Sequence, residues 1–116
     1  MLSRLVMKFG GTSVGSTAAL NQVIQIVKDA QSAWQRVVVV ISALSGVTDL
    51  LIKTAQGAAV GSSFGLNGAE KELLTRHTVL AEELVANLAR RQQLIQEIGH
   101  LVSEFTSLCH AMSVIG

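Results

Sequence analysis

The 116-residue chain is long enough for one compact domain with a modest core. Hydrophobic residues make up 49% of it and charged residues 15%, which favours a globular fold over disorder. A net charge of +1 and 3% aromatic residues provide neither the basic surface nor the stacking groups of nucleic-acid binding. The longest apolar run, Val37 to Ile41, is too short to cross a bilayer, and no signal-peptide pattern opens the chain. We therefore expect a cytoplasmic protein without a membrane or nucleic-acid partner.

The first predicted elements are a strand and a helix joined by a glycine turn. Leu2 to Lys8 runs into two glycines and suits a strand. After the turn, Ser16 or Thr17 is the natural N-cap of a helix. Its apolar face has i, i+3, i+4, i+7 spacing and consists of Leu20, Val23, Ile24 and Val27.

A second strand and helix follow. Val37 to Ile41 is β-branched throughout and apolar on both faces, which is typical of a buried central strand in a parallel sheet. Small residues from Ser42 to Gly46 end the strand, and helical spacing resumes at Val47. Because two strands make a poor sheet, we expect further strands from outside the chain and interpret it as a fragment of a longer protein.

The second half predicts a helical hairpin. Glycines 57, 61, 65 and 68 mark a flexible connection, where we place a subdomain seam. We expect a helix from about Ala69, a polar break at Arg90 to Gln93, and a final helix containing the single cysteine, Cys109, as a buried thiol. Apolar residues of that final helix have four-three spacing: Leu94, Ile98, Leu101, Phe105, Leu108, Met112 and Ile115. The prediction is an α/β fold with parallel strands and flanking helices, divided into strand-loop-helix units (1–60) and an antiparallel hairpin (69–115).

The end of the first strand carries groups suited to phosphate. Lys8 supplies a cation at the strand end, and the two glycines after Phe9 let a ligand approach the backbone. Ligands of open α/β sheets bind at this edge, near helix N-termini. The order of residues differs from the Walker P-loop, where the Lys follows the glycines. Taken alone, these residues also fit a solvated lysine beside a plain tight turn.

The end of the second strand is similar in character. The segment from Ser42 to Asp49 consists mainly of small and hydroxyl residues and lies directly before a helix, so it can contact the same ligand.

The three histidines lack the spacing of a metal site, so we expect no metal ligand from this chain; they are His77, His100 and His110.

Both strand-end segments resemble one family. Met7 to Val14 is similar to the K-F-G-G-[TS]-S signature that opens aspartate kinases, which have the amino acid kinase fold. Val38 to Thr48, with its Ser-Ala-x-Ser-Gly-x-Thr core, resembles the second segment of that family at the expected distance. The resemblance is close over Leu5 to Leu51 and looser over the whole range 1–116.

The resemblance implies a reaction and a set of site residues. The reaction is transfer of the γ-phosphoryl group of ATP to the side-chain carboxylate of L-aspartate, which gives 4-phospho-L-aspartate in lysine, threonine and methionine biosynthesis. Mg²⁺ is expected as part of the ATP complex. The implied roles are phosphate binding by Lys8, Gly10 and Gly11, with Lys8 catalytic and Thr12 and Ser13 close by, and aspartate binding by Ser42 and Thr48.

The same resemblance implies that much of the site lies outside this chain. Family members continue into a substrate-binding helix with a glutamate and a nucleotide-binding half, so we expect the chain to require the remainder of the parent polypeptide and to be inactive alone. We also expect a homo-oligomer. Two alternatives are a phosphotransferase of the same fold with another acceptor, and a non-enzymatic helical interaction module. Phe9 before the glycines and the segment from Ser42 to Thr48 favour aspartate.

Overall fold

The computed structural model describes residues 2–116 as an α/β chain in two compact units, one ending at Gly46 and one beginning at Val47. The elements are β1 (Leu2–Phe9), a 3-10 turn (Gly11–Val14), α1 (Thr17–Ala33), β2 (Trp34–Ile41), α2 (Val47–Ala59), α3 (Leu66–Leu84) and α4 (Leu88–Ile115). The predicted α/β class, with parallel strands, flanking helices and a C-terminal helical hairpin, is confirmed. None of the helices over these residues has the length and apolarity needed to cross a membrane.

The first unit is a parallel β-α-β arrangement. β1 and β2 pair in register from Leu2 with Trp34 to Phe9 with Ile41. The connecting helix begins where predicted, because the Ser16 hydroxyl accepts a hydrogen bond of 3.1 Å from the Ala19 amide and so caps the first turn. This crossover brings the carboxyl ends of both strands to the same edge of the sheet.

One face of this sheet packs against α1, and the other face is uncovered. Phe9 lies on the α1 side, where it lines a cavity with residues of that helix, and successive strand residues alternate between faces. The opposite face is uncovered: the side chains of Val6, Val38 and Val40 are 68%, 53% and 46% exposed. The prediction that the second strand is buried on both faces is therefore wrong for this chain, in which residues 2–116 form only a two-stranded sheet with one helix packed on it.

The second unit is built from α2, α3 and α4. Its most buried side chains include Leu73, Ala81, Val102 and Cys109, each at most 9% exposed. The prediction of a buried thiol is confirmed, and burial raises the pKa of Cys109 above its usual value.

The non-helical connection between α2 and α3 is shorter than predicted. Gly57 belongs to α2 and Gly68 to α3, which begins at Leu66 and so before Ala69. Of the four glycines in this stretch, only Gly61 and Gly65 have a positive φ, 84° in both cases, which is the conformation that favours glycine. The division between compact units falls at Gly46 and Val47, so this connection lies within the second unit.

The turn of the hairpin lies three residues before the predicted polar break. α3 ends at Leu84, and the Asn87 side chain caps α4 by accepting a 3.0 Å hydrogen bond from the Arg90 amide. Arg91 reinforces the turn, since its side chain donates a 2.8 Å hydrogen bond to the Val85 carbonyl. The polar run from Arg90 to Gln93 therefore begins the last helix, and the predicted break there is wrong.

The inner face of α4 also differs from the predicted seam. Exposure increases steadily along the seven-residue repeat, from 37% at Leu94 through 64% and 66% at Leu101 and Leu108 to 86% at Ile115. A straight α-helix has 3.6 residues per turn, so a strict seven-residue stripe rotates by about 20° per heptad away from its starting direction. The buried face includes Val102 and Cys109, while Ile98 and Phe105 of the predicted seam are half-buried.

We expect Asn87→Ala to lower the free energy of unfolding of the chain by about 1 kcal/mol, because one amide at the start of α4 loses its acceptor. Urea denaturation monitored by circular dichroism measures this change. Asn87→Asp is the matched control, since its carboxylate still accepts the bond and should leave stability nearly unchanged. Equal stability of the wild type and Asn87→Ala would contradict the capping role.

Candidate functional site

The loop after β1 is anchored on one buried side chain. Gly10 leaves the strand, and its carbonyl accepts a 3.1 Å hydrogen bond from the Ser13 amide, which closes the 3-10 turn. Val14, the last residue of this turn, is fully buried at 0% exposure. Burial of Val14 therefore holds a backbone turn of small residues in a defined position at the end of β1.

The loop after β2 begins directly beside it. The Ser42 amide donates a 3.1 Å hydrogen bond to the Phe9 carbonyl, which continues the pairing of the strands by one residue. A Cβ atom at Gly11 would lie 3.6 Å from the Ser42 hydroxyl oxygen and 3.6 Å from the Ala43 carbonyl oxygen. The two strand-end loops are thus so close that a Cβ atom at Gly11 would be in van der Waals contact with the loop after β2.

Lys8 lies on the uncovered face of the sheet. It pairs in register with Val40, and its side chain is on the opposite face from Phe9 and therefore from α1. The residue is exposed, and within residues 2–116 no carboxylate forms an ion pair with it. Its positive charge is therefore available to an anionic ligand.

Gly10 is open on the side where a side chain would project. No atom lies within 4 Å of a Cβ built on this residue, and its φ of −80° and ψ of 176° are ordinary for any L-residue. The fold therefore does not require glycine here.

Thr12 and Ser13 line a cavity of about 300 Å³ on the α1 side of the sheet. The other lining residues are Phe9, Ala19, Gln22, Val23 and Ile26. The ring of Phe9 thus has a packing position. The two hydroxyl residues adjoin Gly10 and Gly11 along the chain, but this cavity is on the face opposite to Lys8.

The two predicted aspartate-binding hydroxyls lie in different units. The Ser42 hydroxyl donates a 2.8 Å hydrogen bond to the Ala43 carbonyl, which leaves its oxygen lone pairs available as acceptors. Thr48 is exposed in the first turn of α2. The structure thus brings Ser42 to the loop that follows Lys8 and places Thr48 at a helix N-terminus in the second unit.

Neither strand-end loop contains a carboxylate. In the part of the chain that the structure describes, no group of three or more His, Cys, Asp or Glu side chains is arranged to hold a metal ion.

Sequence reasoning missed the contacts that join the loops. Val14 is the one large apolar residue between Gly10 and Thr17, and that isolation is a signal for an anchor. Gly15 has no such signal, since a Cβ placed there would lie 3.3 Å from the Ser45 Cβ, a residue 30 positions away along the chain. Only the tertiary structure reveals that contact.

Comparison with known proteins gives consistent matches. Residues 3–111 match the model of the amino acid kinase family. The chain is 34% identical over 105 residues to an aspartokinase from Chlamydia muridarum, covering 86% of this chain and 22% of that one. It is 48% identical over 54 residues to an aspartokinase from Pseudomonas aeruginosa, covering 47% of this chain and 13% of that one.

A solved structure has a similar backbone. The structure of E. coli aspartokinase III in complex with aspartate and ADP matches with a TM-score of 0.71 and 30% identity, covering 94% of this chain and 22% of that chain. The present chain thus spans about a fifth of the length of this protein and of the C. muridarum relative.

Proposed function

We propose that this chain, which belongs to the amino acid kinase family, supplies the phosphate-binding part of an aspartate kinase whose polypeptide extends beyond it. The reaction is transfer of the ATP γ-phosphoryl group to the side-chain carboxylate of L-aspartate, giving 4-phospho-L-aspartate for lysine and threonine biosynthesis. The observation that carries this proposal is the pair of contacting loops at the ends of β1 and β2, with Lys8 exposed beside them. The aspartokinase matches support aspartate as the acceptor.

The residues suit phosphoryl transfer because this reaction depends mainly on alignment and charge neutralisation. The Lys8 ammonium stabilises the negative charge that develops on the phosphoryl oxygens, and the open backbone at Gly10 and Gly11 brings amide donors near the phosphates. The aspartate carboxylate is itself the nucleophile, so the protein contributes no covalent intermediate. Mg²⁺ enters with ATP, and its protein ligands lie outside these loops.

In this proposal Ser42 and Thr48 orient the aspartate. The Ser42 oxygen accepts from the α-ammonium group with its remaining lone pairs, because its proton is donated to Ala43. The chain acts in the cytoplasm as part of a homo-oligomeric enzyme. Adenine binding and metal binding belong to the remainder of the polypeptide.

The test is an acceptor assay on the purified full-length enzyme. We expect ATP turnover that depends on L-aspartate and produces an acyl phosphate that hydroxylamine traps as aspartyl hydroxamate. L-glutamate, carbamate and a nucleoside monophosphate should be much poorer acceptors. Preference for one of these would establish a different phosphotransferase of the same family, and absence of turnover with any acceptor would favour the interaction module.

A second experiment measures turnover by the 116-residue chain alone. We expect no aspartate-dependent turnover from it, because the proposal assigns adenine binding and metal binding to the remainder of the polypeptide. Turnover by the isolated chain, free of contaminating kinase, would contradict this division of the site.

A further inference from the structure

The uncovered face of the sheet carries two arginines side by side. Arg4 of β1 pairs in register with Arg36 of β2, and both residues are exposed. Successive strand residues alternate between faces, so Arg4 lies on the same face as Lys8 and on the opposite face from Phe9 and α1. Neighbouring strands are about 4.8 Å apart, so the two guanidinium groups extend from adjacent points of one surface.

The charges of the two arginines are not balanced within the described part of the chain. In residues 2–116 no carboxylate forms an ion pair with Arg4 or Arg36. The only acidic residue in the sequence of the first unit is Asp29, which lies on α1 and accepts a 2.9 Å hydrogen bond from Gln25. Like charges directly opposite each other on a sheet are destabilising. The arginine pair therefore destabilises the sheet unless an anion lies over it.

The ligand proposed at Lys8 does not reach the arginine pair. Arg4 and Lys8 are four residues apart on β1, which corresponds to about 13 Å along a strand. Between them the face is apolar, and the side chains of Val6 and Val38 are 68% and 53% exposed. The face thus combines an apolar centre with a cationic end that is separate from the phosphate-binding end.

A second copy of this face does not complement it. Each copy presents Lys8 at one end and the arginine pair at the other, so face-to-face packing in either direction would bring cations opposite cations. Such like-charge contacts oppose association. The complementary surface is instead apolar at its centre and acidic at one end.

We propose that a segment from the remainder of the parent polypeptide covers this face, packs apolar side chains on Val6 and Val38, and places a carboxylate between Arg4 and Arg36. The inference rests on one part of the proposed function, namely that the polypeptide extends beyond this chain. The chain spans about a fifth of the length of the C. muridarum relative and of E. coli aspartokinase III, so a polypeptide of their length has ample residues for such a segment.

The proposed carboxylate has a defined effect on the sheet. It accepts hydrogen bonds from both guanidinium groups, so a repulsive pair becomes a charge-assisted contact. Because the segment is tethered to the same polypeptide, it binds at a high effective concentration. The arginine pair thus fixes the position of the segment on the sheet.

The first test compares the thermal midpoint of Arg36→Glu in the 116-residue chain and in the full-length enzyme. In the chain alone the substitution replaces a like-charged pair with an oppositely charged one, so we expect the midpoint to rise by about 1–4 °C. In the full-length enzyme the new carboxylate faces the carboxylate of the covering segment, so we expect a fall of at least about 4 °C. Lys28→Glu makes the same charge change on α1 and should shift the midpoints of both proteins in the same direction.

The second test identifies the partner of Arg36. Arg36→Lys keeps the charge and supplies a primary amine, which a carbodiimide couples to a carboxylate in contact with it. In the full-length enzyme we expect residue 36 to be joined to a peptide from beyond residue 116 in a product of monomer mass. Reversing the charge of that carboxylate in the Arg36→Glu enzyme should then restore the midpoint to within about 2 °C of the wild type.

A midpoint of Arg36→Glu that moves in the same direction in both proteins would overturn the inference, because the effect would then belong to the sheet alone. Absence of a cross-link at residue 36, or a cross-link between two subunits, would refute the proposed partner. Binding of the full-length enzyme to anionic lipid vesicles that Arg36→Glu abolishes would show that the face is open, and would also refute it. None of these measurements uses turnover, so preference for another acceptor would refute the proposed substrate and leave the inference intact.

Discussion

Replacing Lys8 with alanine in the full-length enzyme should lower kcat by about 10²–10³-fold while leaving the fold intact. A preorganised group aimed at developing charge is typically worth about 3–4 kcal/mol in the transition state. Lys8 is exposed and has no ion-pair partner in the described part of the chain, so its removal leaves no orphaned charge in the core. Steady-state kinetics and circular dichroism measure the two effects.

Two further variants separate the charge of Lys8 from its hydrocarbon stem. Lys8→Met keeps most of the stem and should be as inactive as Lys8→Ala, because neutralisation of phosphoryl charge is lost in both. Lys28→Ala removes an exposed lysine of α1 in the same unit and should retain wild-type kcat. A folded Lys8→Ala enzyme whose kcat stays within about threefold of the wild type would remove Lys8 from the mechanism.

Gly10→Val should abolish activity without destabilising the protein. The valine side chain meets no protein atom within 4 Å at its Cβ, and the extended backbone at this residue suits a β-branched side chain. The same side chain occupies the space through which phosphate must approach the backbone. Because displacement of a reacting group by 1 Å costs roughly 10²-fold, we expect a loss of at least that size in kcat/KM for ATP.

The comparison that decides this prediction is between stability and activity. Thermal midpoints of the wild type and Gly10→Val should agree closely. Gly10→Ala should lie between them in activity, because its side chain is smaller, and Gly99→Ala should be fully active since its Cβ position is also open. An active Gly10→Val enzyme would show that ligand does not approach the backbone there.

The two predictions test different parts of the site. Lys8 contributes charge, so its loss should appear in kcat, whereas Gly10 contributes empty space, so its loss should appear in nucleotide binding as well. If only one of the two substitutions lowers activity, the reaction requires only that feature, either the charge of Lys8 or the open backbone at Gly10.

Local chemistry within a few residues was sufficient to predict much of this structure. The strand before the glycines, the cap at Ser16 and the helix beginning at Val47 depend on neighbours along the chain, and the structure has all three. The fold class and the family could be predicted for the same reason, because their signatures are continuous segments ending at Ser13 and Thr48. The roles of the individual site residues stay predictions.

The predictions were wrong where a sequence pattern is compatible with more than one structure. Arg90 to Gln93 is polar enough for a turn, yet the cap at Asn87 begins a helix three residues earlier. The seven-residue apolar repeat of α4 fits a coiled-coil seam, but a straight helix rotates the repeat outward and leaves Ile115 86% exposed. Similarly, β2 is apolar on both faces, which suits a strand that is covered on both sides. That pattern does not show which elements of this chain cover the strand.

The sequence by itself determined both strands, the first two helices and which residues could carry phosphate chemistry, because these depend on short-range backbone preferences and residue chemistry. Only the tertiary structure decided that the Ser42 amide bonds to Phe9, that Gly15 accommodates Ser45, and that Lys8 lies on the uncovered face of the sheet. These contacts join residues about 30 positions apart, and their distances follow from strand register and from the buried anchor at Val14. Register and packing are properties of the assembled sheet and helix, so no local pattern specifies them.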